Sequence, residues 1–146
     1  MNKKKIYVAG ALTNVKEYVS VNKKELYENI ASICSRLGFD VYVPHLSKQE
    51  LSSSIAKNLT PKRIFEWDIQ QVTEADIIIA YVGLVSLGVG IELGYAACLK
   101  IPVITLCEKG QPISPMILGH SCLVEHIEYR TEKDYERKLQ QTLFNI

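Results

Sequence analysis

The sequence predicts an α/β protein, a doubly wound three-layer sandwich around a parallel sheet of five strands. Short runs rich in β-branched residues alternate along the chain with stretches whose apolar residues recur at helical spacing. The strand-like runs are apolar throughout, as expected of parallel strands that are covered on both faces. Glycine and proline mark the ends of several segments.

The third strand is expected at the centre of the sheet because it is the most apolar run, Asp-Ile-Ile-Ile-Ala-Tyr-Val. A central third strand gives the strand order 2-1-3-4-5, which is that of flavodoxin-like sheets with a Rossmann-like architecture. Proteins with such sheets bind ligands at the carboxyl ends of strands 1 and 3, in the crevice between them. The loops Gly10–Val15 and Val82–Gly90 should therefore carry the site. The predicted strands are Lys5–Ala9, Asp40–Val43, Asp76–Val82, Pro102–Leu106 and Val124–Tyr129.

The connecting segments are predicted to be mostly helical. Thr60-Pro61 supplies a capping hydroxyl and a first-position proline, and Thr131 caps the last helix with Asp134 three residues later. The polar segment Leu46–Leu59 is predicted to be a loop or short helix over the active edge. Ile64, Phe65, Ile69 and Val72 are expected to face inward. The predicted helices are Glu17–Leu37, stopped by Gly38, then Thr60–Glu74, Gly90–Lys100, a turn at Ile113–Leu118, and the segment after Thr131.

Composition narrows the functional classes. The 146 residues fit one domain, 1–146, and 17 basic against 16 acidic residues give a net charge of +1. A near-neutral chain has no electrostatic bias toward a nucleic acid polymer or an anionic membrane. No apolar run approaches the roughly 18 residues of a membrane span, and we expect no signal peptide. The four cysteines and three histidines form no zinc pattern, so we expect no metal, and reduced cysteines in a cytoplasmic protein.

A glycine-rich stretch after the third strand, Ser86 to Gly94 (SLGVGIELG), contains a carboxylate. Gly88 and Gly90 allow the backbone to approach a ligand closely. If the helix begins near Gly90, Glu92 lies in its first turn, where the helix dipole favours the ionised form. A fixed carboxylate in a crevice can act as a nucleophile toward an electron-poor carbon. The alternative is an acid that serves only to stabilise the helix start.

Three other side chains can share that chemistry. Asp68 lies six residues before the predicted end of its helix at Glu74, which is roughly 9 Å. It is expected on or beside the apolar face, where a carboxylate needs a partner or a task. Asp68 and Glu92 could divide acid–base and nucleophilic roles at an acetal-like carbon, or Asp68 could make a core hydrogen bond. Tyr7 can orient a carboxylate or simply pack in the core. His45 can contact a ligand or lie at the surface.

The stretches Tyr7–Gly10, Asp68, Ala75–Ile78, Ser86–Gly94 and Ile101–Val103 occur together in one known family. Over nearly its whole length the chain resembles the nucleoside 2-deoxyribosyltransferase superfamily. The Ser86–Gly94 stretch, whose glutamate follows an aspartate by 24 residues, is the most specific match. It is most similar to the branch of 2′-deoxynucleoside 5′-phosphate N-hydrolases, as is the segment from Ser114 to Gly119.

The resemblance implies a role for each matching residue. Glu92 would attack C1′ of the deoxyribose, Asp68 would handle protons, and Tyr7 would position the nucleophile. Ser86 would bind the 5′-phosphate, as would Ser114 from across the interface of a homodimer or larger homo-oligomer. His45 would lie near the base or sugar. The expected substrate-binding residues are Gly10, Thr13, His45, Ser86, Gly88, Gly90, Ser114 and Met116.

One position departs from this branch. Thr13 stands where the branch carries an arginine, and a hydroxyl offers one neutral hydrogen bond instead of a bidentate, charge-assisted contact. Lys16 could supply a charge from another part of the loop. Ser86 favours a nucleotide nonetheless, because the transferase branch usually has an acidic residue there, which would repel a phosphate.

These observations predict an N-glycosidase that cleaves 2′-deoxynucleoside 5′-monophosphates to free base and deoxyribose 5-phosphate through a glutamyl glycosyl-enzyme, with no cofactor. One alternative is a deoxyribosyltransferase, in which a second base resolves the intermediate. Another is a non-catalytic nucleotide-binding module. A phosphoacceptor signalling domain of the same strand order is disfavoured, because the third strand ends Ala80-Tyr81-Val82 without the aspartate that it needs.

Overall fold

The computed structural model describes residues 2–12, 22–49 and 58–146. Within these ranges five strands and six helices follow one another along the chain. They are β1 (Lys5–Ala9), α1 (Asn22–Arg36), β2 (Asp40–Tyr42), α2 (Pro44–Gln49), α3 (Pro61–Glu74), β3 (Ile77–Tyr81), α4 (Leu87–Leu99), β4 (Val103–Glu108), α5 (Pro115–Leu118), β5 (Leu123–Tyr129) and α6 (Glu132–Phe144).

The strands form one parallel sheet in the order β2-β1-β3-β4-β5, which confirms the predicted topology. Every residue of β3 is buried, as expected of the central strand. The register pairs Tyr7 of β1 with Tyr42 of β2 on one side and with Ile78 of β3 on the other. Paired residues of adjacent strands point to the same face, so the two tyrosines lie side by side.

Two apolar cores flank the sheet. Ile77 and Ile79 of β3 pack into a cluster with residues of α1 and α6. Ile78 and Ala80, which point the other way, pack with residues of α3 and α4. The alternation of side chains along a strand thus produces the three predicted layers.

Several predicted helix ends are confirmed. Thr60 Oγ1 accepts a hydrogen bond from the backbone N–H of Arg63 at 3.2 Å, which caps α3. Thr131 Oγ1 accepts from the N–H of Asp134 at 3.2 Å, which caps α6. Gly38 follows α1 with φ of +93°, a conformation that glycine adopts without steric cost. The predicted start of the first helix, 17–21, and most of the predicted loop, 50–57, lie outside the described residues.

Two expectations about helices were wrong. Helix α4 begins at Leu87 and not near Gly90, because Ser86 Oγ accepts the N–H of Val89 at 3.3 Å and caps the helix there. Glycine is a poor helix former, which favoured the later start. Phe65 does not face inward: 45% of its surface is exposed, and its ring meets that of Tyr95 edge-on, with centroids 6.3 Å apart.

Candidate active site

A cleft of about 320 Å³ lies between α3 and α4. Helix α3 contributes Asp68 to its lining and α4 contributes Glu92. The other lining residues are apolar or glycine: Pro61, Ile64, Phe65, Ile69, Gly88 and Ile91. The structure therefore brings the two predicted carboxylates together in apolar surroundings, where charge interactions are stronger than in water.

Glu92 lies in the second turn of α4, because the helix begins five residues earlier at Leu87. The expected first-turn position was therefore wrong, and the helix dipole is not the feature that holds this carboxylate. Instead, the fully buried Tyr7 donates a hydrogen bond from Oη to Glu92 Oε1 at 3.1 Å. Burial raises the pKa of Tyr7, and the negative charges of Glu92 and Asp68 raise it further. Tyr7 is thus a neutral donor at physiological pH.

Asp68 is held in a similar way by a second tyrosine. The hydroxyl of Tyr42 donates to Asp68 Oδ1 at 3.1 Å. The rings of Tyr42 and Tyr7 stack with centroids 5.4 Å apart and planes 22° from parallel. Asp68, Tyr42, Tyr7 and Glu92 form one connected group, which we call the tyrosine–carboxylate array. In it, two adjacent tyrosines of the sheet each fix one carboxylate of a covering helix.

The array suits nucleophilic and acid–base chemistry. A carboxylate oriented by a neutral donor can form a covalent intermediate at a sugar carbon, and a second carboxylate nearby can transfer protons. Within residues 2–12, 22–49 and 58–146, no group of three or more His, Cys, Asp or Glu side chains is placed to hold a metal ion. In the same ranges, no helix has the length and apolar character needed to cross a bilayer.

Comparison with known proteins decides the family. Residues 6–139 match the family described as nucleoside 2-deoxyribosyltransferase. The chain belongs to this family. A relative from Danio rerio, named 5-hydroxymethyl-dUMP N-hydrolase, is 31% identical over 118 residues, which is 80% of this chain and 78% of the relative.

Solved structures of the deoxyribosyltransferase fold superpose over most of this chain. The Clostridium botulinum CMP N-glycosidase superposes with a TM-score of 0.70 at 23% identity and covers 94% of this chain and 98% of its own. A 2-deoxyribosyltransferase from Bacillus psychrosaccharolyticus superposes with a TM-score of 0.67 at 21% identity, over 86% of both chains. At these identities the two structures support the fold alone.

Five of the expected substrate-binding residues of this deoxyribosyltransferase-family chain fall into two groups. Ser86 caps α4 and Gly88 lines the cleft, while Gly90 follows on the same turn with open space above its α carbon. Ser114 caps α5 by accepting the N–H of Met116 at 3.2 Å. Ser114 and Met116 are exposed, and they are not among the described residues that line the cleft.

The remaining expected ligand contacts lie elsewhere or outside the described ranges. The side chain of His45 is 6% exposed, and its Nε2 lies 3.1 Å from Glu28 Oε1 of α1, so it is not the surface histidine considered above. The ring of Tyr27 lies so close to Gly10 that a side chain there would collide with it. Thr13 and Lys16 fall outside the described residues.

Sequence reasoning missed Tyr42 as a partner of the site. A signal was present, because β1 begins Lys-Ile-Tyr and β2 reads Asp-Val-Tyr, with tyrosine third in each. Adjacent parallel strands in that register bring the two rings together on one face. The signal becomes meaningful only once strand order and register are both known.

Proposed function

We propose that this chain is an N-glycosidase of 2′-deoxynucleoside 5′-monophosphates. The observation that carries the proposal is the meeting of Asp68 and Glu92 in one apolar cleft, each held by a tyrosine, in a chain of the deoxyribosyltransferase family. The name of the Danio rerio relative supports hydrolysis of a nucleotide.

The proposed reaction has two steps. An oxygen of Glu92 bonds to C1′ as the bond from C1′ to the base nitrogen breaks, and the Asp68 carboxyl gives a proton to the departing base. Water then attacks C1′, the Asp68 carboxylate takes up the proton that this water loses, and Glu92 leaves as a carboxylate. The products are free base and deoxyribose 5-phosphate. Tyr7 keeps the nucleophile oriented through both steps.

Base release, followed by chromatography, tests this proposal. The protein would be incubated with deoxynucleoside monophosphates and the matching deoxynucleosides, each with and without a second free base. We expect free base from the monophosphates and none from the Glu92→Ala variant. Wild-type activity retained in Glu92→Ala would contradict the mechanism. Tight nucleotide binding without turnover would instead indicate a binding module.

A transferase is the second candidate, favoured by Thr13 at the position of the branch's arginine. In a transferase, a second base rather than water attacks C1′ of the same glycosyl-enzyme. Formation of a new nucleoside only when a free base is added would assign the chain to this activity. Release of base from monophosphates alone would assign it to the hydrolases.

We propose further that the chain forms a homodimer through α4 and α5. Leu87, Ile91 and Tyr95 follow one another at i, i+4 and i+8 on α4 and are 86%, 48% and 38% exposed. On α5, Met116 is 83% exposed and Leu118 is 47% exposed. An apolar surface of this kind is typical of a protein interface, and Ser114 lies beside it as the cap of α5.

Light scattering coupled to size exclusion tests the dimer. We expect twice the 16.5 kDa protomer mass for wild type and a monomer for Leu118→Glu, because a buried unpaired charge opposes association. A monomeric wild-type protein would refute the dimer. A cytoplasmic location is proposed as well, and is supported by four cysteines that are all free thiols.

A further inference from the structure

We infer that Tyr42 is a positioning residue for Asp68 and that its hydroxyl sets the plane of that carboxylate for proton transfer. This inference rests on the proposed function and deepens it. It assigns part of the acid–base machinery to an edge strand, β2, whose residues are not among the described ones that line the cleft.

A helix alone does not fix an aspartate carboxylate. Rotation about the bond to the carboxylate carbon is broad for aspartate, so backbone position leaves the plane of the two oxygens loosely defined. The contact of 3.1 Å from Tyr42 Oη to Asp68 Oδ1 removes that freedom, because a hydrogen bond is directional. Proton transfer needs an oxygen within hydrogen-bond reach and correctly aimed, so fixing the plane has a direct effect on rate.

Tyr42 is itself held firmly enough to serve as a reference point. Its strand pairs in register with β1 at three positions, Lys5 with Asp40, Ile6 with Val41 and Tyr7 with Tyr42. Its ring stacks on Tyr7, which is completely buried and is fixed on its other side by β3. The position of the hydroxyl is therefore set by the sheet.

The stacked rings also link the two halves of the array, which we call the Glu92 arm (Tyr7 and Glu92) and the Asp68 arm (Tyr42 and Asp68). Tyr7 holds Glu92 while Tyr42 holds Asp68, and the two rings lie 5.4 Å apart. Loss of the Tyr42 hydroxyl should affect the Asp68 arm alone. Loss of the whole ring should also loosen Tyr7 and with it the Glu92 arm. Two substitutions at one position therefore distinguish the roles of hydroxyl and ring.

A double-mutant cycle on base release tests the inference. We expect Tyr42→Phe to lower kcat by about 10-fold, with KM changed by less than about 2-fold, because positioning for proton transfer contributes in the transition state. In an Asp68→Ala background, the same substitution should change kcat by less than about 2-fold, since no carboxylate remains to be held. Tyr42→Leu should lower kcat further than Tyr42→Phe and should keep part of its effect in the Asp68→Ala background.

Tyr135→Phe is the matched control. The Tyr135 hydroxyl accepts a hydrogen bond from Asn29 on the opposite face of the sheet, so its removal should leave kcat at the wild-type value. Multiplicative effects of Tyr42→Phe and Asp68→Ala would overturn the inference, as would a Tyr42→Phe variant with wild-type kcat. Both results leave the proposed function intact, whereas an absence of base release from wild type would overturn the proposed function and this inference together.

Discussion

Two tyrosine–carboxylate pairs lie on opposite faces of the sheet, and their surroundings differ. On the α3 and α4 face, Tyr7 donates to Glu92 at 3.1 Å beside an apolar cleft. On the α1 and α6 face, Tyr81 donates to Glu108 at 2.6 Å, and Lys23 forms an ion pair with the same carboxylate. The Lys23 ammonium also lies over the Tyr81 ring, 4.6 Å from its centroid.

The comparison indicates that Glu108 has a structural role and that Glu92 is available for chemistry. Burial opposes ionisation of Glu108, but hydrogen bonds from Lys23 and Tyr81 and the lysine charge outweigh it, so the pKa of Glu108 is lowered. Glu108 is therefore ionised, and its charge is balanced by Lys23. A carboxylate balanced in this way is a weak nucleophile, but its contacts connect α1, β3 and β4. Glu92 receives a neutral donor and borders a space large enough for part of a ligand.

The largest expected effect is on kcat, when Glu92 and Glu108 are each replaced by the uncharged glutamine. Glu92→Gln should lower kcat for base release by about 10³-fold or more, because the nucleophile is lost, with little change in Tm. Glu108→Gln should leave kcat within a few-fold of wild type while lowering the free energy of unfolding by about 1–2 kcal/mol, since Lys23 loses its ionic partner. Steady-state kinetics and thermal melts on both variants measure this. If Glu108→Gln proved as inactive as Glu92→Gln, Glu108 could not be assigned a purely structural role.

The next effect concerns the close packing around the Glu108 pair. An alanine Cβ at Gly83 would collide with the Tyr81 hydroxyl and would lie 2.8 Å from Glu108 Oε2. Because Tyr81 is buried and cannot move aside, Gly83→Ala should reduce the free energy of unfolding by about 1–3 kcal/mol. Gly94→Ala is the control, since nothing lies within 4 Å of its added carbon, and alanine should stabilise α4 by about 0.5–1 kcal/mol. Chemical denaturation gives both values, and equal stabilities would show that Tyr81 is mobile.

The smallest effect is a pH dependence of stability. The pKa of Glu108 is lower in the folded protein than its ordinary value of 4.5. Its contribution is therefore fully present above about pH 4.5 and is lost as the pH falls through the folded-state pKa. The difference in Tm between wild type and Glu108→Gln should be constant from pH 6 to 8 (roughly the range in which no carboxylate of ordinary pKa titrates) and should shrink in acid. A difference independent of pH down to unfolding would show that Glu108 contributes no ionic tether.

Much of the fold could be predicted from local pattern. The apolar run of β3 fixed the centre of the sheet, and Thr60 and Thr131 marked two helix starts, because capping depends on residues close in sequence. The start of α4 was predicted wrongly, because the Ser86 cap outweighs the low helix propensity of Gly88 and Gly90.

The two carboxylates of the site could be predicted from the sequence, but the pattern of tyrosine hydrogen bonds that holds them could not. An apolar residue on a helix can face a core or a cleft, which is why Phe65 was placed inward. Asp68 stood out because a charged residue is unusual on or beside the apolar face of a helix. Glu92 stood out as the carboxylate of a glycine-rich stretch that follows the central strand. Their tyrosine partners depend on strand register across residues far apart in sequence, which local pattern does not encode.

The shortness of β2 has a consequence for how the molecule responds to heat. This strand has three residues and pairs on one side only, yet it carries Tyr42. Edge segments with few hydrogen bonds open locally at a free energy below that of global unfolding. Amide hydrogens of β2 should then exchange with solvent sooner than those of β3, and catalysis should fade on warming before the cooperative melt begins. The temperature of maximal activity would then be set by the local opening of β2 and not by global unfolding of the domain.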